Sequence, residues 1–108
     1  MLYMFITAHF PSNKAKEVGK TYLEERKNFP RDRSLGKVVV EAVKPRDHGI
    51  ETIGILQNKE GKLEAALKRQ QDASAMYHDI DGYEYSIDIY WNAAEALGVI
   101  GMKSPAVN

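Results

Sequence analysis

LYMFITAHF, residues 2–10, reads as a β-strand with two unlike apolar faces. Successive side chains of a strand point to opposite sides. Leu2, Met4, Ile6 and Ala8 therefore form an aliphatic face, while Tyr3, Phe5, Thr7 and His9 form an aromatic one with polar tips. Such a strand belongs in a sheet whose aliphatic side is covered by other elements. A second run of the same kind, YEYSIDIYW, stands at residues 83–91: Tyr83, Tyr85, Ile87, Ile89 and Trp91 share one side, and Glu84, Ser86, Asp88 and Tyr90 the other.

The chain between these runs supplies the cover. Pro11, Ser12 and Asn13 offer a turn and a cap, after which Ala15, Val18, Tyr22, Leu23 and Phe29 recur at helical spacing until Pro30. Gly19 inside this helix costs about 1 kcal/mol of propensity relative to Ala, which predicts close packing of that turn on the sheet. Residues 30–36, rich in Arg, Asp and Ser, form the longest loop. β-Branched runs at 37–43 and 50–57, with turn signals at 45–49 between them, predict a hairpin.

Residues 58–61 break that hairpin, and a second amphipathic helix follows. Its apolar stripe is Leu63, Ala66, Leu67, Gln70, Ala73, Met76, Tyr77 and Ile80, with Lys62, Glu64, Lys68, Arg69 and Asp72 toward water. Asp81 and Gly82 turn the chain into the last strand. Asn92 and Glu95 then stand at capping-box spacing and open a short helix that Gly98 closes. Residues 99–108 follow as an extended tail, in which Met102, Pro105 and Val107 allow a crossing onto a partner chain and the lack of further periodicity equally allows a frayed end.

The order is β-α-β-β-α-β, so the 108 residues are expected to form one α+β domain: a four-stranded antiparallel sheet carrying both helices on one face. Fifteen Lys and Arg balance fifteen Asp and Glu, which leaves no field to gather nucleic acid or an anionic membrane. The absence of cysteine removes disulfides, thiolate metal sites and a Cys nucleophile, and fits a cytoplasmic protein. Residues 1–10 lack a basic leader and a small-residue cleavage site, and Pro11 interrupts them too soon for a membrane span.

Element order and size, without a diagnostic motif, resemble the ferredoxin-like fold over nearly the whole chain. More narrowly they resemble the dimeric α+β barrel superfamily. That resemblance implies that two sheets pack their helix-free faces together. It also implies possible kinship in activity with cofactor-independent monooxygenases, haem-degrading oxygenases and lactone isomerases.

One sheet face is left without helices. With the aliphatic side of the first strand packed inward, and Val38, Val40 and Ala42 inward on the second, this face is expected to carry Tyr3, Phe5, Thr7 and His9. It also takes Lys37, Val39, Glu41 and Val43, and from the last strand Glu84, Ser86, Asp88 and Tyr90. Aromatic bodies with ionisable tips suit neither a dry core nor a plain wet surface, so the face is expected to be covered by a second copy or to line a cavity. Tyr3, Phe5, Thr7, Glu41, Glu84, Asp88 and Tyr90 are the expected ligand-binding or dimer residues. The three acids also serve, on edge strands, to discourage aggregation, and the aromatics pack on a partner chain more often than they stack a ligand.

His9 is the candidate catalytic residue. A neutral imidazole near Glu41 or Asp88 is suited to act as a base; the plainer alternative is a strand-end histidine bonded to solvent or backbone. His48 falls in the hairpin turn and His78 near the end of the second helix, so no metal-ligand spacing arises, and neither metal nor cofactor is expected. Gly19, Lys20 and Thr21 spell the end of a phosphate loop but fall inside a helix. The third strand lacks the stacking aromatics of RNA-recognition domains, and residues 9–19 lack the anion loop of acylphosphatases. The leading expectation is a homodimer that binds a small, partly apolar molecule on the helix-free face. The alternatives are a monooxygenase- or isomerase-like enzyme with His9 as base, and a purely structural or regulatory interaction module.

Overall fold

Met4 has no solvent-accessible surface, and the rest of the fold is arranged round it. In the computed structural model, which describes residues 1–103, the strands are β1 (Leu2–Phe10), β2 (Gly36–Arg46), β3 (Gly49–Asn58) and β4 (Glu84–Trp91). The helices are α1 (Ala15–Asn28), α2 (Leu63–Ser74) and α3 (Ala93–Val99), with short 3-10 turns at Ser12–Lys14 and Ala75–Tyr77. The sheet runs β2-β3-β1-β4 and every neighbouring pair is antiparallel. This is the ferredoxin-like α+β arrangement expected from the order of elements. The last residues of the expected tail, 104–108, lie outside the described residues.

β1 and β3 take the central places because each is apolar on both faces, and the more polar β2 and β4 form the edges. Pro45, expected in the turn, instead lies within β2 opposite Ile50, where an edge strand tolerates its missing N–H. The turn shrinks to Asp47 and His48, with His48 at φ 64°.

The buried apolar set is Met4, Ala8 and Phe10 from β1, Ala66 and Ala73 from α2, and Tyr77 and Ile80 beyond it. Burying Met4 contributes about 1.5–3 kcal/mol relative to leaving it exposed. At one end of the sheet the Tyr83 ring stacks on Tyr77 at 4.6 Å and on Phe10 at 5.9 Å. The Tyr77 hydroxyl donates to Glu25 Oε1 at 2.6 Å, tying α1 to the turn after α2. Burial, aided by Glu25, raises the Tyr77 phenol well above its ordinary value. Burial likewise pushes Tyr83 up to about 12.

Three local expectations change. α1 buries no residue fully, and Leu23 is exposed; the inward stripe runs through Val18, Thr21, Glu25 and Phe29, and so carries an ionisable group. Among the described residues nothing lies within 4 Å of the place a Gly19 Cβ would occupy, so no close approach to the sheet accounts for it. Gly98 lies within α3. The helix is closed by Gly101 at φ 76°, with Met102 N–H donating to Leu97 O and Gly101 N–H to Gly98 O, the paired bonds of a Schellman motif. The expected cap is present, Asn92 Oδ1 accepting from Glu95 N–H at 2.8 Å. Among the described residues no helix is long and apolar enough to cross a membrane.

Candidate functional site

The register of the ladders sorts the helix-free face into four rows across the sheet. From β4 to β2 they are Tyr90-Tyr3-Gln57-Lys37, Asp88-Phe5-Ile55-Val40, Ser86-Thr7-Ile53-Ala42 and Glu84-His9-Glu51-Lys44. The two middle rows hold the apolar residues Phe5, Ile53, Ile55, Val40 and Ala42. Of the three aromatic residues expected to stack, Phe5 is in a middle row and Tyr3 and Tyr90 are in the first, with the Phe5 and Tyr90 rings 4.5 Å apart. A short polar line crosses this apolar centre, with the Thr7 and Ser86 hydroxyls 2.7 Å apart and Ser86 Oγ 3.4 Å from Asp88 Oδ2.

Glu41 is not on this face. The β2–β3 register shifts between Val38 and Val40, so that Val39 is an extra residue in the strand. One inserted residue reverses the facing of everything after it. Val40 and Ala42, expected inward, therefore join the helix-free face, and Glu41 and Val43 turn to the helix side. There Glu41 accepts hydrogen bonds from Arg26, from Arg31 Nη2 at 3.2 Å and from the Tyr22 hydroxyl at 3.3 Å.

His9 accordingly has neither of its expected partners. Asp88 lies two rows away beside Phe5, and the carboxylate nearest His9 is that of Glu84, with Nε2 to Oε2 at 3.9 Å. That distance is too long for a hydrogen bond, and the two side chains are 46% and 73% exposed. His9 and Glu84 border a shallow hollow of about 170 Å³ at the end of the sheet, together with Arg46, His48 and Gly82. Glu51, which pairs with Arg46 at 3.2 Å and Lys44 at 4.0 Å, completes the ionic row. Among the described residues no three His, Asp or Glu side chains gather as a metal site.

A larger cleft, about 660 Å³, lies on the opposite side of the sheet. It is bounded by the end of α1, the loop into β2, the end of β3 and one side of α2. Sequence reading missed it: Arg31 and Arg33 stood in a loop and Arg69 on a helix face assigned to water, and only the fold brings them to Asn58.

No family model and no curated protein sequence matches the chain. Among solved structures it is similar to the de novo designed protein Foldit4, with a TM-score of 0.53 at 14% identity over 84% of this chain and 97% of that one. It is similar to SnoaB, a cofactor-independent oxygenase from Streptomyces nogalater, with a TM-score of 0.52 at 12% identity over 85% and 93% of the two chains. It is also similar to the uncharacterized protein TM1266 from Thermotoga maritima, at 0.51 and 12% identity over 82% and 98%. At such identities the likeness is one of fold, and a designed chain shares that fold with an oxygenase, so the fold alone assigns no activity.

Proposed function

We propose that the protein acts as a homodimer whose two helix-free faces enclose a small, partly apolar molecule. The observation that carries this reading is the unlike charge of the two edges flanking one apolar centre. Lys37 and Lys44 stand on the β2 side of the face, and Glu84 and Asp88 on the β4 side. A two-fold axis parallel to the strands lays β2 of each copy over β4 of the other, so both edges meet opposite charge while Phe5, Ile53 and Ile55 meet in the middle.

The area is adequate and not generous. Four strands about 4.8 Å apart and four rows about 6.6 Å deep give roughly 500 Å² of flat face per copy, hence about 1,000 Å² in the pair, near the lower bound for a specific interface. The exposed apolar residues Val99, Ile100 and Met102 at and beyond the end of α3 offer further surface for a partner. The hydroxyl line of Thr7 and Ser86 beside Asp88 supports the ligand half of the proposal. In a dry interface these groups would need partners, whereas a bound molecule with one polar end would satisfy them.

The test is Phe5→Asp, which places a charge at the centre of the face and leaves the Met4 core alone. The expected result is a monomer with an unchanged circular dichroism spectrum that lacks, in native mass spectrometry, the small-molecule mass retained by the wild-type dimer. An unchanged oligomeric state would overturn the proposal. An enzymatic variant of it would have His9 as base with Glu84 beside it; their exposure and spacing favour binding over turnover.

A further inference from the structure

We propose that the cleft on the helix side of the sheet is a second binding site, for a small organic acid that carries a carboxylate or phosphate at one end and an amide-type edge at the other. The site stands apart from the proposed dimer face, because the sheet lies between them.

Charge is the first observation. Among the described residues the cleft takes the cations Arg26, Arg31, Arg33, Lys59 and Arg69 against the carboxylates of Glu25 and Asp32, Lys37 standing at its rim in a row that faces the other side of the sheet, in a chain whose overall charge is zero. Both carboxylates are engaged. Glu25 accepts the Tyr77 hydroxyl, and Asp32 accepts the Ser34 hydroxyl at 2.6 Å and N–H at 3.0 Å, bonds that hold its carboxyl below the ordinary range. Arg26 and Arg31 are bound to Glu41. Arg69 is fixed by donating to the Pro30 carbonyl and lies over the Phe29 ring at 5.7 Å. Arg33 and Lys59 have no carboxylate partner among the described residues. Cations left without counter-charge in a partly enclosed cleft attract an anion more strongly than they would on an open surface.

Asn58 is the second observation, independent of the first. It lines the cleft at the end of β3 and is only 2% exposed, yet neither Nδ2 nor Oδ1 makes a hydrogen bond among the described residues. A buried amide without partners is destabilising, and an apolar residue of its size would serve packing better. Its adjacent donor and acceptor match the acceptor and donor of a lactam, carboxamide or pyrimidine edge. Val38, Leu56, Ala66 and Ala73 supply apolar wall, and the cleft volume falls within the roughly 300–1,000 Å³ of small-molecule sites. Because the polar atoms of Asn58 are closed off from solvent here, binding is accompanied by a shift of the lining that covers them.

The experiment is an NMR titration of isotopically labelled protein with four probes: orotate (carboxylate and edge), uridine 5′-monophosphate (phosphate and edge), benzoate (anion alone) and uracil (edge alone). The expected result is that orotate or the nucleotide moves the Asn58 side-chain amide signals and binds at least about tenfold more tightly than benzoate, as two extra hydrogen bonds imply, and more tightly than uracil, which lacks the anion. The stronger of the two acids tells carboxylate from phosphate. Asn58→Leu is expected to remove the tenfold preference over benzoate while keeping or raising the melting temperature. Arg33→Ser with Lys59→Ser is expected to weaken both acids and leave uracil unchanged, and it decides the matter should Asn58→Leu fail to fold. Three results overturn the proposal: no binding of either acid at millimolar concentration, binding that leaves the Asn58 signals in place, or a lower melting temperature for a folded Asn58→Leu protein.

Discussion

Glu41 and Arg26 form an ion pair between β2 and α1 on the helix side of the sheet, and the pair exists because Val39 is an extra residue in the strand. Arg31 and the Tyr22 hydroxyl join the same carboxylate, so one acid anchors both the first helix and the loop that follows it. The groups are partly exposed, which screens their attraction. Glu41→Ala is therefore expected to cost only about 0.5–1 kcal/mol, and less at high salt. Thermal unfolding at low and high ionic strength checks this; a loss that does not shrink with salt would point to packing in place of charge.

The stack of Tyr77 and Tyr83 makes stability depend on alkaline pH. Burial raises both phenols above the unfolded value of 10.0, Tyr83 to about 12 and Tyr77 further. A raised folded-state value means that the folded protein holds its proton where the unfolded chain has released it. The contribution is therefore complete below about pH 10 and is lost as pH rises from there through about 12. Melting temperatures followed from neutral to strongly alkaline pH should fall across that window, and Tyr77→Phe with Tyr83→Phe should flatten the fall. An equally steep fall in the double variant would remove the phenols as its cause.

Gly19 sits in the interior of α1 with open space where a Cβ would go. Gly19→Ala should stabilise the protein by about 0.5–1 kcal/mol, by lowering the conformational freedom of the unfolded chain. Urea denaturation checks this: the midpoint should rise with the slope unchanged, and a fall would mean that the open face is occupied by something else in solution.

The edge charges of the helix-free face predict a specific complementation. A chain carrying Lys37→Glu and Lys44→Glu should dimerise poorly with itself, as should a chain carrying Glu84→Lys and Asp88→Lys, because each then opposes like charges across the two-fold. An equimolar mixture should restore the dimer. Native mass spectrometry of the mixture distinguishes the heterodimer, and a mixture that stays monomeric would rule out the β2-over-β4 arrangement.

Much of this was legible in the sequence. The period of two in β1 gave both its extent, Leu2–Phe10, and the facing of each residue, and the same period sorted β4 correctly. Reading β2 by the same rule failed after Val39. Val38, Val39 and Val40 are alike in type, so nothing local marks which of three valines is extra; pairing with β3 decides it. That single bulge moved Glu41 away from His9 and brought Val40 and Ala42 to the face in its place. Leu23 misled for a different reason: α1 turns Glu25 inward to meet the Tyr77 hydroxyl, a bond to a residue 52 positions away that helical spacing cannot reveal. The cleft at Asn58 was invisible for the same cause, since its cations converge from two helices, the loop after α1 and the turn after β3.

The central claim is that the helix-free face carrying Phe5, Ile53, Ile55 and Tyr90 is covered by a second copy of the chain. Sedimentation equilibrium of the wild-type protein, from low to high micromolar concentration, tests it most directly. A covered face gives a species of twice the 12.2 kDa chain mass that dissociates only at the dilute end, whereas a mass of one chain at every concentration would contradict the claim.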